Sequence, residues 1–484
     1  MLASIARVPA PRPLMHEIAV SRNPARAGTF RRFDRNKLTF CGFSALYGIN
    51  TGRFLEMLLE FRVKNFRSIR DEAILSLAAS ADATLEETHT RETGLEKVRR
   101  VLNTAAIYGA NASGKSNVIR ALQFMHLMVT TSNQVQPDQP NILAPFRMRP
   151  DHESEPSLFE ATFLIGGKRY QYGFELTRTH IISEWLLVYE RAKPQVWFSR
   201  TYNEKKKNRY DYTYSDYFSG TKKLWETATR KETLFLTTAI QLNNEQLKPL
   251  YQRFSEDMAI FPEGGSIGYG FSANFAEESS RNKSRVETLI SAADTGICKV
   301  SFTKQPGRQY QINLTTGVPE IRDTELEVPQ FGHLADGQVY EFEYGDESAG
   351  TQILFSLAGP ILDILERGRL LIVDELDRSL HPLLVHKIVE MFNDPQLNTK
   401  GAQLIFTTHD VSLLDGNKLR RDQIWFAEKD AGQASHLFPL LEFSPRKGEA
   451  LEKGYLGGRY GGIPIFSFGM KEYGARKDHG TKKD

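Results

Sequence analysis

Eight residues from Gly109 to Ser116 read GANASGKS. Two glycines bracket a short polar turn, and a lysine and a serine follow at once. Successive backbone N–H groups of such a turn form a concave, electropositive nest, and a helix starting at Lys115 adds the positive end of its dipole. The ligand this suits is a nucleoside polyphosphate. Gly109, Asn111, Ser113 and Gly114 wrap it, Lys115 puts a point charge on its β- and γ-groups, Ser116 offers a hydroxyl to Mg²⁺, and Asn117 opens the helix beside them. A second cluster, Asp374 and Glu375, follows the apolar run Leu370–Val373. Two carboxylates at the C-terminal end of a buried strand lie where open α/β sheets hold ligands. Asp374 suits Mg²⁺, directly or through water, and Glu375 suits the activation of an attacking water as a general base. His409 closes another apolar stretch, AQLIFTTHD, within reach of a γ-phosphate. Ser348 and Gly350, in ESAGTQ, open a helix; they make either an anion site or a plain N-cap.

These groups need elements to hold them. Thr104–Tyr108 reads as a strand and about Lys115–Val129 as the helix after the loop. Upstream, LLEFRVKNFRSI and EAILSL read as two strands. Downstream of a Pro-rich link come LFEATFLIGG, KRYQYGFELT, HIISEWLLVYER, QVWFSR and RYDYTY, an antiparallel meander with Gly-Gly at one turn. ETLFLTTAIQLNNEQLKPLYQRFSEDM reads as helical, residues 257–345 are mixed, and helix and strand alternate from Ser348. Ser348 precedes Asp374 by 26 residues, and His409 follows it by 35.

The composition fits a large soluble core: 484 residues, 40% hydrophobic and 25% charged. Two cysteines, Cys41 and Cys298, build neither a disulfide framework nor a cysteine zinc site, which fits a cytoplasmic chain. No apolar run reaches 18 residues, so no membrane span is expected. The net charge of +3 comes from the N-terminus, where residues 1–55 carry nine Lys+Arg against two Asp+Glu. That segment is Arg-rich and Pro-punctuated. Met57 is a natural start for the first strand, so residues 1–56 read as upstream sequence, a partner-binding arm or a targeting segment.

Taken together the motifs resemble the ABC-type ATPase superfamily over about Met57–Asp415. Gly109–Ser116 resembles Walker A, Leu370–Glu375 Walker B with its catalytic glutamate, Leu376–Asp377 the D-loop and His409 the switch histidine. ESAGTQ resembles a degenerate signature that keeps Ser348 and Gly350 and carries Ala349 where the usual pattern has glycine; no Q-loop glutamine is assigned. FRVKNFRSI resembles the first strand and turn of the RecF, SMC and OLD-type subgroup, which implies that Arg67 and Ser68 lie near the nucleotide. The resemblance implies an α/β ABC-ATPase head, a P-loop core with an antiparallel β lobe and a helical lobe. Residues 57–130 and 346–440 form the two parts of the core, 131–345 the inserted lobes, 1–56 a basic extension and 441–484 a C-terminal arm. It implies ATP and Mg²⁺ as ligands and hydrolysis by Glu375 and His409. It also implies a head-to-tail homodimer, extendable to higher oligomers, in which each ATP lies between one P-loop and the partner's Ser348 helix.

Lys115 and Ser348 are 233 residues apart, with compact lobes and no heptad run between them. About 70 residues follow His409, with no acidic cluster of the Toprim kind and no HNH pair. The tail EALEKGYLGGRYGGIPIF resembles those of stand-alone ATPases of bacterial anti-phage, abortive-infection loci, the RloA/AbiLi type, which act beside a Toprim-like nuclease. The expectation is an ATPase switch controlling a separate effector. The alternatives are a RecF-like ATPase that clamps DNA and a self-contained ATP-dependent nuclease. RTYNEKKKNRYDYTYSDYFSGTKKLW mixes basic and aromatic residues, as a nucleic-acid surface or a solvated hairpin does.

Overall fold

The computed structural model describes residues 55–464 except 150–153, 191–192, 207–208, 263–267, 294 and 313–318. The basic segment up to residue 54 and the end of the arm from residue 465 lie outside the described residues. Two sheets dominate. The first has seven antiparallel strands. Tyr210–Tyr214 is at one edge, then come Gln195–Tyr202, Ile181–Tyr189, Lys168–Leu176, Ser157–Ile165, Met57–Lys64 and Ala73–Ser76 at the other edge. The expected meander is all here, and the first strand of the chain pairs with its start, Phe61 opposite Ala161.

The second sheet has six strands in the order Met258–Phe261, Leu370–Val373, Gln403–Thr407, Thr104–Gly109, Ile424–Lys429, Ser435–Pro439. Its first five strands are parallel and the last is antiparallel. The P-loop strand, TAAIYG, is buried at all six residues, as a strand covered on both faces must be. One core cluster joins the seven-stranded sheet to the P-loop helix, Lys115–Thr131, through Phe159, Phe163 and Phe174 against Phe124 and Met125. The other lies on the opposite face of the parallel sheet, where Phe355, Leu357 and Ile361 meet Val373, Phe406 and Phe426.

The helix Ala349–Arg367 contains Pro360. Proline has no N–H to give to the Ser356 carbonyl one turn earlier. Ser272, from the neighbouring helix Gly270–Glu277, donates its hydroxyl to that carbonyl (3.0 Å) and accepts the Gly359 N–H (2.9 Å). The break is thus satisfied from outside and the helix runs its full 19 residues.

The stretch read as one long helix is two, Phe235–Gln241 and Lys248–Ser255, separated by Asn243 at φ 62° and by Asn244, which caps Leu247. Ile297–Ile312 and Pro319–Ala335 form a long antiparallel pair, joined at its base by the exposed edge strand Gln338–Glu343. Near the start of the described residues, Glu56 takes two hydrogen bonds from Arg253. Among the described residues no helix is long and apolar enough to cross a membrane.

Candidate functional site

The parallel strands deliver the chemical groups at their C-terminal ends. After Gly109 the chain turns through Asn111–Gly114 and enters the helix at Lys115. Gly114 has φ 110°, and a Cβ there would overlap the Ser435 hydroxyl. Lys115 is buried; its ammonium donates to the carbonyls of Gly109 (2.8 Å) and Ala110 (3.1 Å), so the charge lies across the loop. Ser116 follows in the first turn, half-buried.

The turn after the first strand reaches this loop. Ser68 Oγ accepts from the Asn117 amide (2.6 Å) and lies 2.7 Å from Ser435 Oγ; the Ser435 N–H donates to the Ser68 carbonyl (2.6 Å), and its hydroxyl to the Ser113 carbonyl (2.6 Å). Ser68 and Asn117 are therefore braced against the P-loop. Arg67 lies in the same turn at φ 52°, with its N–H on the Ala144 carbonyl (2.7 Å). Partial burial and then the nearby guanidiniums of Arg120 and Arg147 pull its side chain below its ordinary pKa, so the corner is strongly cationic.

Across the sheet, the register pairs Val373 with Phe406 and so puts Thr407 opposite Asp374. The Thr407 hydroxyl donates to Asp374 Oδ1 (2.6 Å) and accepts the Glu375 N–H (2.7 Å). Glu375 sits at φ 55°, a left-handed conformation that an L-residue holds only when its surroundings fix it. Asp374 is buried, and its Oδ2 has no hydrogen-bond partner among the described residues. A buried carboxylate oxygen left unpaired is costly, and a cation answers it. With Ser116 as the hydroxyl donor, this set fits Mg²⁺, an ion that takes one or two protein oxygens and completes its shell with phosphate and water.

The His409 N–H donates to Asp377 Oδ2 (3.0 Å). Partial burial, and then the Lys115 ammonium, hold its imidazole below the ordinary value, while the carboxylates of Asp377, Glu375 and Asp374 pull the other way. One group thus feels the P-loop lysine and both Walker B acids. His409 also lines, with Gly109–Ser113, an open cavity of about 880 Å³ above the loop.

Ser348 and Gly350 are not brought to this cavity. Ser348 is exposed and caps its helix, accepting the Thr351 N–H (3.2 Å). A Cβ at Gly350 would come within 2.7 Å of the Ser379 carbonyl, so this helix start is pressed against the loop that follows Glu375. Three features escaped the sequence reading. Thr407 signals itself only as a hydroxyl at a strand end. Ser435 carries no local signal. The Gly- and Tyr-rich arm was legible in composition but not in place: Tyr455 and Gly462 line the P-loop cavity.

A family model described as "AAA domain, putative AbiEii toxin, Type IV TA system" matches residues 105–415, well over half of the chain. No curated protein matches it. Solved structures that match include the SMC head domain from Thermotoga maritima, 14% identical at a TM-score of 0.37 over 79% of this chain and 98% of that one. An SMC head bound to the C-terminal winged-helix domain of ScpA is 12% identical at a TM-score of 0.36, over 79% and 96%. An SMC head with an extended coiled coil, bound to the C-terminal domain of ScpA derived from Pyrococcus furiosus, is 11% identical at 0.35, over 80% and 98%.

Proposed function

The chain belongs to this AAA-domain family, and from that premise we propose that it is an ATP-hydrolysing, nucleotide-gated dimeric switch. In this reading it is cytoplasmic and governs a separate effector, a Toprim-like or other nuclease, in anti-phage defence. The observation that carries the ATPase part is the Asp374–Thr407–Glu375 linkage. It presents one unpaired buried carboxylate oxygen, and it fixes a second carboxylate in a strained backbone beside the P-loop lysine and His409.

Lys115 neutralises the β- and γ-phosphates, and the N–H groups of the loop hold them. Ser116 and Asp374 would hold Mg²⁺, which would supply electrostatic neutralisation of the phosphate oxygens. Glu375 takes the proton of the attacking water. His409, neutral near pH 7, hydrogen-bonds the γ-phosphate side. Ser348 is exposed and does not line its own P-loop cavity, which supports its acting on the nucleotide of a second copy. ATP binding then favours the closed dimer, and hydrolysis opens it.

The test is Glu375→Gln in the full chain. ATP should still bind, turnover should collapse, and a dimer should accumulate by light scattering with ATP but not with ADP. Wild-type turnover in that variant would remove Glu375 as the base. A variant that binds ATP, fails to turn it over and stays monomeric would remove the sandwich.

A further inference from the structure

His409 is held from two sides, and both holds come from one stretch of chain. Its N–H donates to Asp377 Oδ2 (3.0 Å), in the loop that follows Glu375. The residue after it, Asp410, meets the helix that this loop enters, Pro382–Asn393. His386, in the second turn of that helix, places Nε2 at 2.8 Å from Ser412 Oγ and at 3.2 Å from Asp410 Oδ2. The Asp410 side chain is only 6% exposed, so the contact is buried.

The neighbours of His386 assign its proton. Ser412 donates its hydroxyl to Asp410 Oδ1 (2.5 Å), and the Ser412 N–H donates to the same oxygen (3.0 Å). A hydroxyl has one proton to give. Toward His386, Ser412 Oγ is therefore an acceptor, and Nε2 carries the hydrogen. Asp410 Oδ2 is buried, and no hydrogen bond reaches it among the described residues. The same Nε2–H is beside it. His386 thus ties down both ends of the Asp410–Ser412 turn from another element. The backbone of Asp410 is fixed as well: its carbonyl accepts from the Tyr108 hydroxyl (3.2 Å), and its N–H donates to Thr408 Oγ1 (3.0 Å). Tyr108 immediately precedes Gly109, so this turn touches the P-loop strand and the helix after Asp377 at once.

We propose that His386 is a positioning residue for ATP hydrolysis: through Ser412 and Asp410 it fixes the turn that carries His409 beside the γ-phosphate. This rests on the ATPase reading above and adds a residue outside the nucleotide motifs. His409 lines an open cavity, so the cavity side offers it little packing. Its place is set by the backbone on either side, through Asp377 before and Asp410 after. Without the imidazole N–H, Ser412 Oγ loses a donor and Asp410 Oδ2 is left buried beside none, which favours a turn that swings out toward water. A displacement of about 1 Å at a reacting group can cost about 100-fold in rate.

The test is steady-state ATPase and calorimetric ATP binding on the full chain with Mg²⁺, with folding checked by thermal melting. His386→Leu should lower kcat by about tenfold or more while ATP affinity stays within about twofold of wild type, because Lys115 and the loop are untouched. His386→Gln, whose amide nitrogen can stand where Nε2 stands, should recover most of kcat. In a His409→Gln chain, His386→Leu should change kcat by less than about twofold, because the group it positions is already gone. A plain structural tie between helix and loop would lower the melting temperature and show no such dependence on His409.

A folded His386→Leu chain with kcat within about twofold of wild type would overturn the proposal. So would an equal loss in the wild-type and His409→Gln chains, or a fall in ATP affinity as large as the fall in kcat. If His386→Leu does not fold, Ser412→Ala removes the acceptor from the same contact and leaves the helix intact. It should lower kcat by about threefold or more in the wild-type chain and leave the His409→Gln chain unchanged; equal effects in both would refute the assignment. A wild-type chain that turns over no ATP would remove the ATPase reading and this proposal with it, whereas turnover that ignores His386 removes the proposal alone.

Discussion

Thr407→Val tests the arrangement of the site most directly. Valine keeps the shape and removes the hydroxyl that touches both Walker B acids. Two buried groups lose their partner at once: the Glu375 N–H and Asp374 Oδ1. Leaving a buried polar group unsatisfied costs about 1–3 kcal/mol, so stability should fall by roughly 2–6 kcal/mol if nothing relaxes. Relaxation is the more informative part. Glu375 holds φ 55° against a strain of about 1–3 kcal/mol, and its N–H bond to Thr407 opposes that strain. Once released, the backbone turns and carries the carboxylate away from its place, while Asp374 loses the bond that orients its unpaired oxygen toward a cation. Removing such a supporting hydrogen bond at a metal site costs about 10- to 100-fold in metal affinity or activity.

The assay is steady-state ATPase over a Mg²⁺ titration, run beside Thr407→Ser, which restores the hydroxyl. Thr407→Val should lower kcat by about 10- to 100-fold and shift the Mg²⁺ midpoint upward, and Thr407→Ser should recover most of both. Folding is checked separately by thermal melting. If folded Thr407→Val turns over ATP within about twofold of wild type at an unchanged Mg²⁺ midpoint, Thr407 does not position these acids.

The remaining predictions concern the charges and surfaces around the site. Lys115→Ala should abolish tight ATP binding by calorimetry; it should also raise the His409 pKa in an NMR titration, because the lysine ammonium helps to hold it down. His409 lies below its ordinary 6.5, so the unfolded chain takes up this proton first as the solution is acidified. The stability His409 contributes is therefore present above about pH 6.5 and is lost as the pH falls through its folded value, seen as a falling melting temperature that His409→Gln lessens. Ser348→Arg should leave ATP binding to the monomer intact and block dimerisation and turnover; Ser348→Ala, which loses only the cap worth about 1 kcal/mol, should be milder, and full turnover in Ser348→Arg would exclude the sandwich. The purified chain with Mg²⁺ and ATP should not cut DNA or RNA beside a Glu375→Gln control; cleavage that tracks with the wild-type chain would make it a nuclease in its own right.

The sequence alone determined the local units. A strand, a glycine-bounded turn and a helix are specified by neighbouring residues, so the Thr104–Gly109 strand and the helix from Lys115 appear where the pattern places them. The same holds for Leu370–Val373, four apolar residues whose burial on both faces is forced by their lack of alternation. The five-stranded meander from Ser157 to Tyr214 was legible too, because hairpins are local pairings set by their turns, whereas the pairing of Met57–Lys64 with its first strand was not. What joins distant segments was decided only in three dimensions. The parallel register of Leu370 with Gln403 puts Thr407 opposite Asp374, and nothing within either strand fixes that register. Ser435 reaches Ser113 across 322 positions of sequence because the last strand folds back antiparallel at the sheet edge. The arm's composition showed glycine and tyrosine, but its seat beside Gly109 follows from Phe426 presenting a face to two tyrosines, a contact that exists only once the strand is in the sheet. Local chemistry is written in short windows; register, edge and docking depend on which surfaces remain uncovered after those windows have folded.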